Sequence, residues 1–247
     1  MTVSQIERAR ELVRAARRVA ALTGAGVSAE SGIATFRDPG GLFEGRRFDE
    51  LANVEAFAAD PALVWRYYRW RRERAGAAEP NAGHRALAAF EGRRGLDLIT
   101  QNVDGLHQRA GSGGPIELHG SLWSTRCDRC GRGVRAGAEP GGAVPVCAGC
   151  GGRMRPGVVW FGESLPPAAL AGAQAAAERC DLFLVLGTSA VVHPAAGLAV
   201  RAIERGVPVI EVNPQETPLS ALVTVAVRGR TGEVLPELLG GSGPPGS

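Results

Sequence analysis

The chain has 247 residues, and its 28 basic side chains are all arginine. Its 25 acidic residues leave a formal charge of +3, which excludes a globally basic nucleic-acid binder. Hydrophobic residues at 45% and charged residues at 21% predict a packed core, in one large domain or one large domain carrying a smaller one.

Ser4-Gln5-Ile6-Glu7 reads as a capping box that opens a helix, with Ile6, Ala9, Leu12, Val13 and Ala16 at helical spacing. This start lacks a signal-peptide pattern, and Glu7 and Glu11 argue against a transit peptide. No apolar run approaches the ~20 residues that cross a bilayer. The expectation is a cytoplasmic protein with no membrane partner.

Short runs rich in Val, Ile and Leu follow, at Arg18–Thr23, Leu96–Thr100, Asp181–Leu186, Val207–Val212 and Val223–Val227. Each reads as a buried strand, and helical patterns such as Pro167–Arg179 and Ala195–Arg205 lie between them. That alternation predicts a doubly wound α/β domain with a parallel sheet covered on both faces. Two stretches break the rhythm: a helical insertion over 40–91, and a cysteine-bearing segment over 126–156 too poor in apolar residues for a core of its own. Together they predict a small domain built from two insertions. The large domain then comprises 1–39, 92–125 and 157–239, and 240–247 (GGSGPPGS) forms a disordered end.

Cys127, Cys130, Cys147 and Cys150 form C-x2-C-x16-C-x2-C, a zinc-ribbon spacing. Four thiolates close a tetrahedral shell with no open position, so such a zinc is structural. Two redox dithiols would want a thioredoxin-like context, which is absent. Cys180 stands alone, opening a strand as a small buried residue.

Thr23-Gly24-Ala25-Gly26-Val27-Ser28 follows the first strand, with Ala29 at the third position of a G-x-G-x-x-A turn. Glycines there let backbone approach a pyrophosphate. Gly187-Thr188-Ser189 and Asn213 end two further strands and offer phosphate or ribose contacts, at the edge where ligands of parallel sheets collect. Gln101-Asn102-Val103-Asp104 and His119 also follow strands. From spacing alone they are as well explained by a turn and an ordinary histidine.

In order, GAGVSAESGIATFR (Gly24 to Arg37), TQNVDGLH (Thr100 to His107), ELHG (Glu117 to Gly120), the four cysteines, GTS (Gly187 to Ser189) and VNP (Val212 to Pro214) resemble the full signature of the sirtuins. The resemblance runs from the first strand to Leu235 and implies a Rossmann-like NAD-binding domain plus the small domain. It implies NAD-dependent removal of acyl groups from protein lysine. The acyl-lysine carbonyl oxygen attacks the nicotinamide ribose, and the acyl group passes to ADP-ribose, giving nicotinamide and O-acyl-ADP-ribose.

The resemblance also implies roles. Gly24, Ala25, Gly26, Ser28, Ala29, Glu30, Ala34, Thr35, Phe36 and Arg37 belong to the loop that wraps NAD. Asn102 and Asp104, with Gln101 beside them, hold the ribose and nicotinamide pocket; His119 is the general base, and Asn102 is catalytic with it. Gly187, Thr188, Ser189, Asn213 and Thr231 line the adenosine half, and Val159, Trp160 and Phe161 pair with the substrate backbone as an added strand. Ala34 stands where the family usually has proline in GIPxFR, which loosens a loop turn and removes no functional side chain.

Val64–Arg74 reads VWRYYRWRRER, a helix with Tyr68 and Arg71 on one face. Arg66, Arg69, Arg72 and Arg74 read as a solvated basic face. Tyr68 and Arg71 match the Y-x-x-R pair of the sirtuin subclass that prefers succinyl- and malonyl-lysine, an arginine fork plus a phenol suited to a carboxylate. His84, in the segment Pro80 to Arg85, reads as structural, and Pro39 stands where the subclass often has alanine near the acyl pocket. The alternatives are a general deacetylase and, less favoured, an NAD-binding module that transfers ADP-ribose.

Overall fold

The computed structural model describes residues 4–34 and 42–240. Helix α1 (Gln5–Ala15) begins at the expected capping box: the Glu7 N–H donates to Ser4 Oγ at 3.3 Å, and the Ser4 N–H donates to the Glu7 carboxylate at 2.9 Å. It leads into β1 (Val19–Thr23), buried along its whole length, and a short helix α2 (Ala25–Ala29). Four helices follow: α3 (Phe48–Leu51), α4 (Val54–Ala59), α5 (Pro61–Ala77) and α6 (Ala82–Arg94). Then come β2 (Asp97–Thr100), α7 (Leu106–Arg109), β3 (Ile116–Glu117), β4 (Gly120–Cys127), β5 (Gly133–Arg135) and β6 (Met154–Val158). The chain closes with α8 (Pro167–Arg179), β7 (Leu182–Leu186), α9 (Ala195–Glu204), β8 (Val209–Val212), β9 (Val225–Val227) and α10 (Thr231–Leu239).

Six strands form a parallel sheet in the order β3-β2-β1-β7-β8-β9. The direction of winding reverses between β1 and β7, which is where such sheets open a crevice at their carboxyl ends. The five long apolar runs all become strands, each starting one or two residues later than the apolar pattern. Helices cover both faces. One cluster packs α1, α6 and α10 on the sheet through Ala9, Val13, Leu87, Phe90 and Leu235. The other packs α8 and α9 through Ala173, Ala176, Leu198 and Ala202.

A third cluster lies outside this sheet. It joins Leu51, Phe57, Trp65 and Tyr68 of the inserted helices to Leu122 and Met154 of a three-stranded antiparallel sheet, order β5-β4-β6, and to Trp160 just beyond it. The cysteine-bearing segment thus borrows its core from the helices, as its composition requires.

Two expected boundaries shift. The expected 40–91 insertion takes in most of helix α6, which instead packs along α10 and buries Leu87 and Phe90 in the large core. Its apolar positions predict a helix and do not say which core receives it. The small sheet begins with β4 at Gly120 and ends with β6 at Val158, wider than 126–156. Arg72 also departs from the expected solvated face: its side chain is 11% exposed and pairs with Glu139 at 2.6 Å. It further donates to the carbonyls of Leu122 at 2.7 Å and Ser124 at 3.1 Å, so it fastens α5 to the small sheet.

Candidate active site and metal centre

The four cysteines converge as their spacing predicts. Cys127 and Cys147 open two equivalent knuckles: each donates its N–H to the carbonyl five residues on (Arg132 at 2.9 Å, Gly152 at 2.8 Å). Each also accepts from the N–H four residues on (Gly131 at 3.1 Å, Gly151 at 2.9 Å). The four Sγ atoms lie within 4.8 Å of one another, with Cys127 and Cys150 at 3.5 Å and Cys130 and Cys147 at 3.8 Å. Zinc–sulfur bonds of about 2.3 Å in a tetrahedron put sulfurs about 3.8 Å apart, so the cluster fits one structural zinc. The β4–β5 turn and the loop into β6 are what such an ion would tie together.

The carboxyl edge of the parallel sheet gathers most of the other predicted residues. The Gly24 N–H donates to Leu186 O at 3.0 Å and the Gly26 N–H to Gly187 O at 2.8 Å, so the β1 turn lies directly on the end of β7. Glycine is required there by contact as much as by a ligand. A Cβ on Gly24 would sit 2.7 Å from Thr188 Cβ, and one on Gly26 would sit 2.7 Å from Gly187 O.

Across the same edge, Gln101 Nε2 donates to Thr188 Oγ1 at 3.0 Å. Asn102 Nδ2 donates to Gly24 O at 3.0 Å and Ser28 Oγ at 3.1 Å. Ser28 Oγ in turn donates to Asp104 Oδ2 at 2.8 Å, while Asp104 Oδ1 accepts the Leu106 N–H at 2.9 Å. With both oxygens of buried Asp104 so engaged, the edge presents hydroxyl and amide groups, a donor set suited to a ribose and a diphosphate.

His119 reaches this edge from the β3–β4 junction. Its Nδ1 lies 2.9 Å from Gln101 O, and a carbonyl can only accept, so Nδ1 carries the proton and Nε2 keeps its lone pair. Burial lowers its pKa below the ordinary histidine value, against the opposing pull of the Gln101 carbonyl. The ring is neutral at working pH and able to act as a base.

The Sir2 family profile matches residues 24–194. That span contains the glycine turn, His119 and all four cysteines. The chain belongs to the Sir2 family. An NAD-dependent protein deacylase 2 from Pyrobaculum aerophilum is 49% identical over 232 residues, covering 93% of this chain and 92% of that protein. An NAD-dependent protein deacylase 1 from Archaeoglobus fulgidus is 52% identical, over 89% of this chain and 90% of that protein. Among solved structures, a Sir2 homologue bound to NAD aligns with a TM-score of 0.90 at 48% identity, covering 94% of this chain and 92% of that one. A mutant homologue bound to 2′-O-acetyl ADP-ribose gives the same score and identity, with 94% of each chain covered.

Within this Sir2-family chain the remaining predicted residues fall in different settings. Ser189 and Asn213 are half-buried at the ends of β7 and β8, and Asn213 Nδ2 donates to Gln215 O at 2.8 Å. Ala25 is half-buried in α2; Ala29 and Ala34 are exposed. Glu30 turns its carboxylate against Gly232 at the start of α10, and Thr231 beside it is buried with no partner for Oγ1 among the described residues. Thr35, Phe36, Arg37 and Pro39 lie outside the described residues.

The Val159–Phe161 segment is tied down within the chain. All three N–H groups are engaged within the chain: Val159 with His119 O at 2.9 Å, Trp160 with Glu163 Oε2 at 2.8 Å and Phe161 with Ala52 O at 3.0 Å. The Trp160 carbonyl also accepts the Glu163 N–H at 3.0 Å, and Phe161 is bridged to Asn53. The Trp160 side chain is core rather than surface, 2% exposed, whereas Phe161 is 51% exposed.

Tyr68 is 1% exposed and accepts the Trp160 Nε1–H at 2.9 Å. Burial raises its pKa, so the phenol stays protonated. The Arg71 guanidinium lies 5.6 Å from the Tyr68 ring centroid and 5.8 Å from those of Tyr67 and Phe48, and among the described residues it forms no ion pair with a carboxylate.

Sequence reasoning passed over Tyr67, a buried phenol whose ring centroid lies 5.8 Å from the Arg71 guanidinium. It also passed over Val191 and Val192, exposed after the Gly187–Ser189 turn. Two adjacent valines outside any strand or helix, at the ligand edge of a sheet, were the available signal.

Proposed function

We propose that this chain is an NAD-dependent protein lysine deacylase that prefers succinyl- and malonyl-lysine over acetyl-lysine, transferring the acyl group to ADP-ribose. The observation that carries the chemistry is the His119 tautomer, a neutral ring whose Nε2 has no partner among the described residues, at the edge where Asn102, Ser28 and Asp104 are hydrogen-bonded together. When bound, NAD supplies an electrophilic ribose carbon and nicotinamide as the leaving group. Gln101, Asn102, Asp104, Gly187, Thr188, Ser189 and Asn213 hold it; Asn102 orients the ribose, and His119 takes a proton at Nε2.

The preference rests on Tyr68 and Arg71. A half-buried guanidinium that pairs with no carboxylate among the described residues, beside a protonated phenol, is a site for a carboxylate at the acyl end. Val159 and Phe161 frame the peptide through their carbonyls. The two-insertion small domain and a cytoplasmic setting complete the proposal; a thiolate zinc site suits a reducing compartment. No described helix is long and apolar enough to cross a membrane.

NAD-dependent turnover of one peptide carrying succinyl-, malonyl- or acetyl-lysine tests the reading. The succinyl and malonyl forms should lead, and Arg71→Met should reduce them by roughly tenfold or more, the scale of a lost charge-assisted hydrogen bond. A wide acetyl preference, unchanged in Arg71→Met, would favour a general deacetylase. The structural relative bound to 2′-O-acetyl ADP-ribose makes that the second reading.

A further inference from the structure

The Tyr68 hydroxyl is satisfied on one side only. Trp160 Nε1–H donates to its oxygen, and among the described residues it has no other hydrogen-bond partner. A phenol that has accepted retains one O–H proton to give. At 1% exposure bulk water does not meet that proton, and a buried donor without an acceptor is costly. The arrangement is complete only when an acceptor arrives.

Trp160 is itself held on two further sides. Phe57 packs on it at 5.2 Å between ring centroids, and the Arg155 guanidinium lies 3.4 Å over its ring. Arg155 is fixed by Glu163 through two bonds, at 2.6 and 2.8 Å, and by Val158 O at 3.1 Å. One residue earlier, Val159 donates its N–H to the carbonyl of His119. A rigid unit therefore runs from His119 through Val159 and Trp160 to Tyr68.

We infer that Trp160 is a positioning residue for acyl selectivity: its indole N–H occupies the acceptor side of the Tyr68 hydroxyl and so directs the O–H toward the acyl carboxylate that Arg71 meets. This rests on the proposed acyl preference and adds a residue that touches no acyl group through its own polar atom. The Arg155–Glu163 pair keeps the indole in place.

The test compares kcat/KM for succinyl- and acetyl-lysine versions of one peptide in the intact enzyme with Trp160→Phe, which keeps an aromatic ring and removes the donor. The succinyl-to-acetyl ratio should fall about tenfold, the effect of losing one oriented bond to a charged group. Because Trp160→Phe also loosens packing, Trp160 is separately replaced by 3-benzothienylalanine, which keeps the indole shape without the N–H. The same fall in ratio is expected. In a Tyr68→Phe background neither change should move the ratio further, since the indole acts only through the hydroxyl. A succinyl-preferring wild type whose ratio is untouched by both replacements, or shifts equally in the Tyr68→Phe background, overturns this inference alone. A wild type that prefers acetyl overturns the acyl reading and this inference with it.

Discussion

His119 Nδ1 lies 2.9 Å from the carbonyl oxygen of Gln101, and that one contact fixes the tautomer of the ring. Gln101 is in turn held by Thr188 and by the β1 carbonyl of Thr23, to which its backbone N–H donates at 3.0 Å. The His119 ring is thereby registered against three strand ends. His119→Ala should lower kcat by about 10²–10⁴-fold, the usual worth of a placed general base, while NAD binding measured by calorimetry persists. The acid limb of kcat/KM against pH should inflect below about 6.5, because burial disfavours the charged ring. An inflection at or above that value would remove His119 as the base.

Gly26 bears on the same edge through sterics. A Cβ there would lie 2.7 Å from Gly187 O and 2.9 Å from Gly187 Cα, both backbone atoms that cannot swing aside. Gly26→Ala should cost about 1–3 kcal/mol in a urea melt, as forced overpacking does, and should raise KM for NAD by prising β1 from β7. A wild-type midpoint would show that the turn is not packed as described.

What could be read from the chain alone follows the range of each signal. The capping box at Ser4, the β1 and β7 strands and the two cysteine knuckles are set by residues close in sequence, and all stand where expected. The direction taken by a side chain is another matter. Trp160 belongs to a motif suggesting substrate contact, yet its ring is drawn into the core by Tyr68 and Phe57, which lie about a hundred residues upstream. Arg72 looks like one more arginine on a basic helix until Glu139, 67 residues away, folds onto it. Helix α6 carries an apolar stripe whose partner, α10, lies at the far end of the chain.

Arg72 gives the third prediction. Its ion pair with Glu139 is nearly buried at both ends, 11% and 13% exposed, and the same guanidinium serves the carbonyls of Leu122 and Ser124 and the hydroxyl of Thr125. Arg72→Met leaves Glu139 and these acceptors stranded and should cost about 3–5 kcal/mol. Glu139→Gln should cost less, because the arginine keeps its other partners. Thermal melts of both variants decide it; equal losses would mean that the pair, and not the guanidinium's wider set of bonds, holds α5 to the small sheet.

The zinc cluster makes a prediction of a different kind. Cys127 and Cys147 contribute both to the ligand shell and to the core of the small domain. Removing one thiolate should release the ion and unfold that domain, so Cys147→Ala should abolish turnover without touching the sheet edge. Zinc content by atomic absorption, read beside activity, checks this. A variant that binds no zinc yet keeps full turnover would refute the structural assignment.

Acid stability follows from two histidines behind the site. His107 is 1% exposed with Nε2 3.0 Å from Thr23 Oγ1, and its ring centroid lies 4.9 Å from that of His84, which is fully buried. Burial, with the neighbouring His84 charge adding to it, pushes His107 down to about 3. Burial also lowers His84, although Asp104 pulls the other way. Both rings are neutral in the fold, whereas in the unfolded chain they take up protons near pH 6.5. The stability they contribute is therefore whole above about pH 6.5 and drains as pH falls toward the folded value. At pH 5 the loss from His107 alone is about 2 kcal/mol. Tm should drop between pH 7.5 and 5, and His107→Gln should shrink that drop while lowering Tm at pH 7.5. A drop of unchanged size in His107→Gln would place the acid sensitivity elsewhere in the molecule.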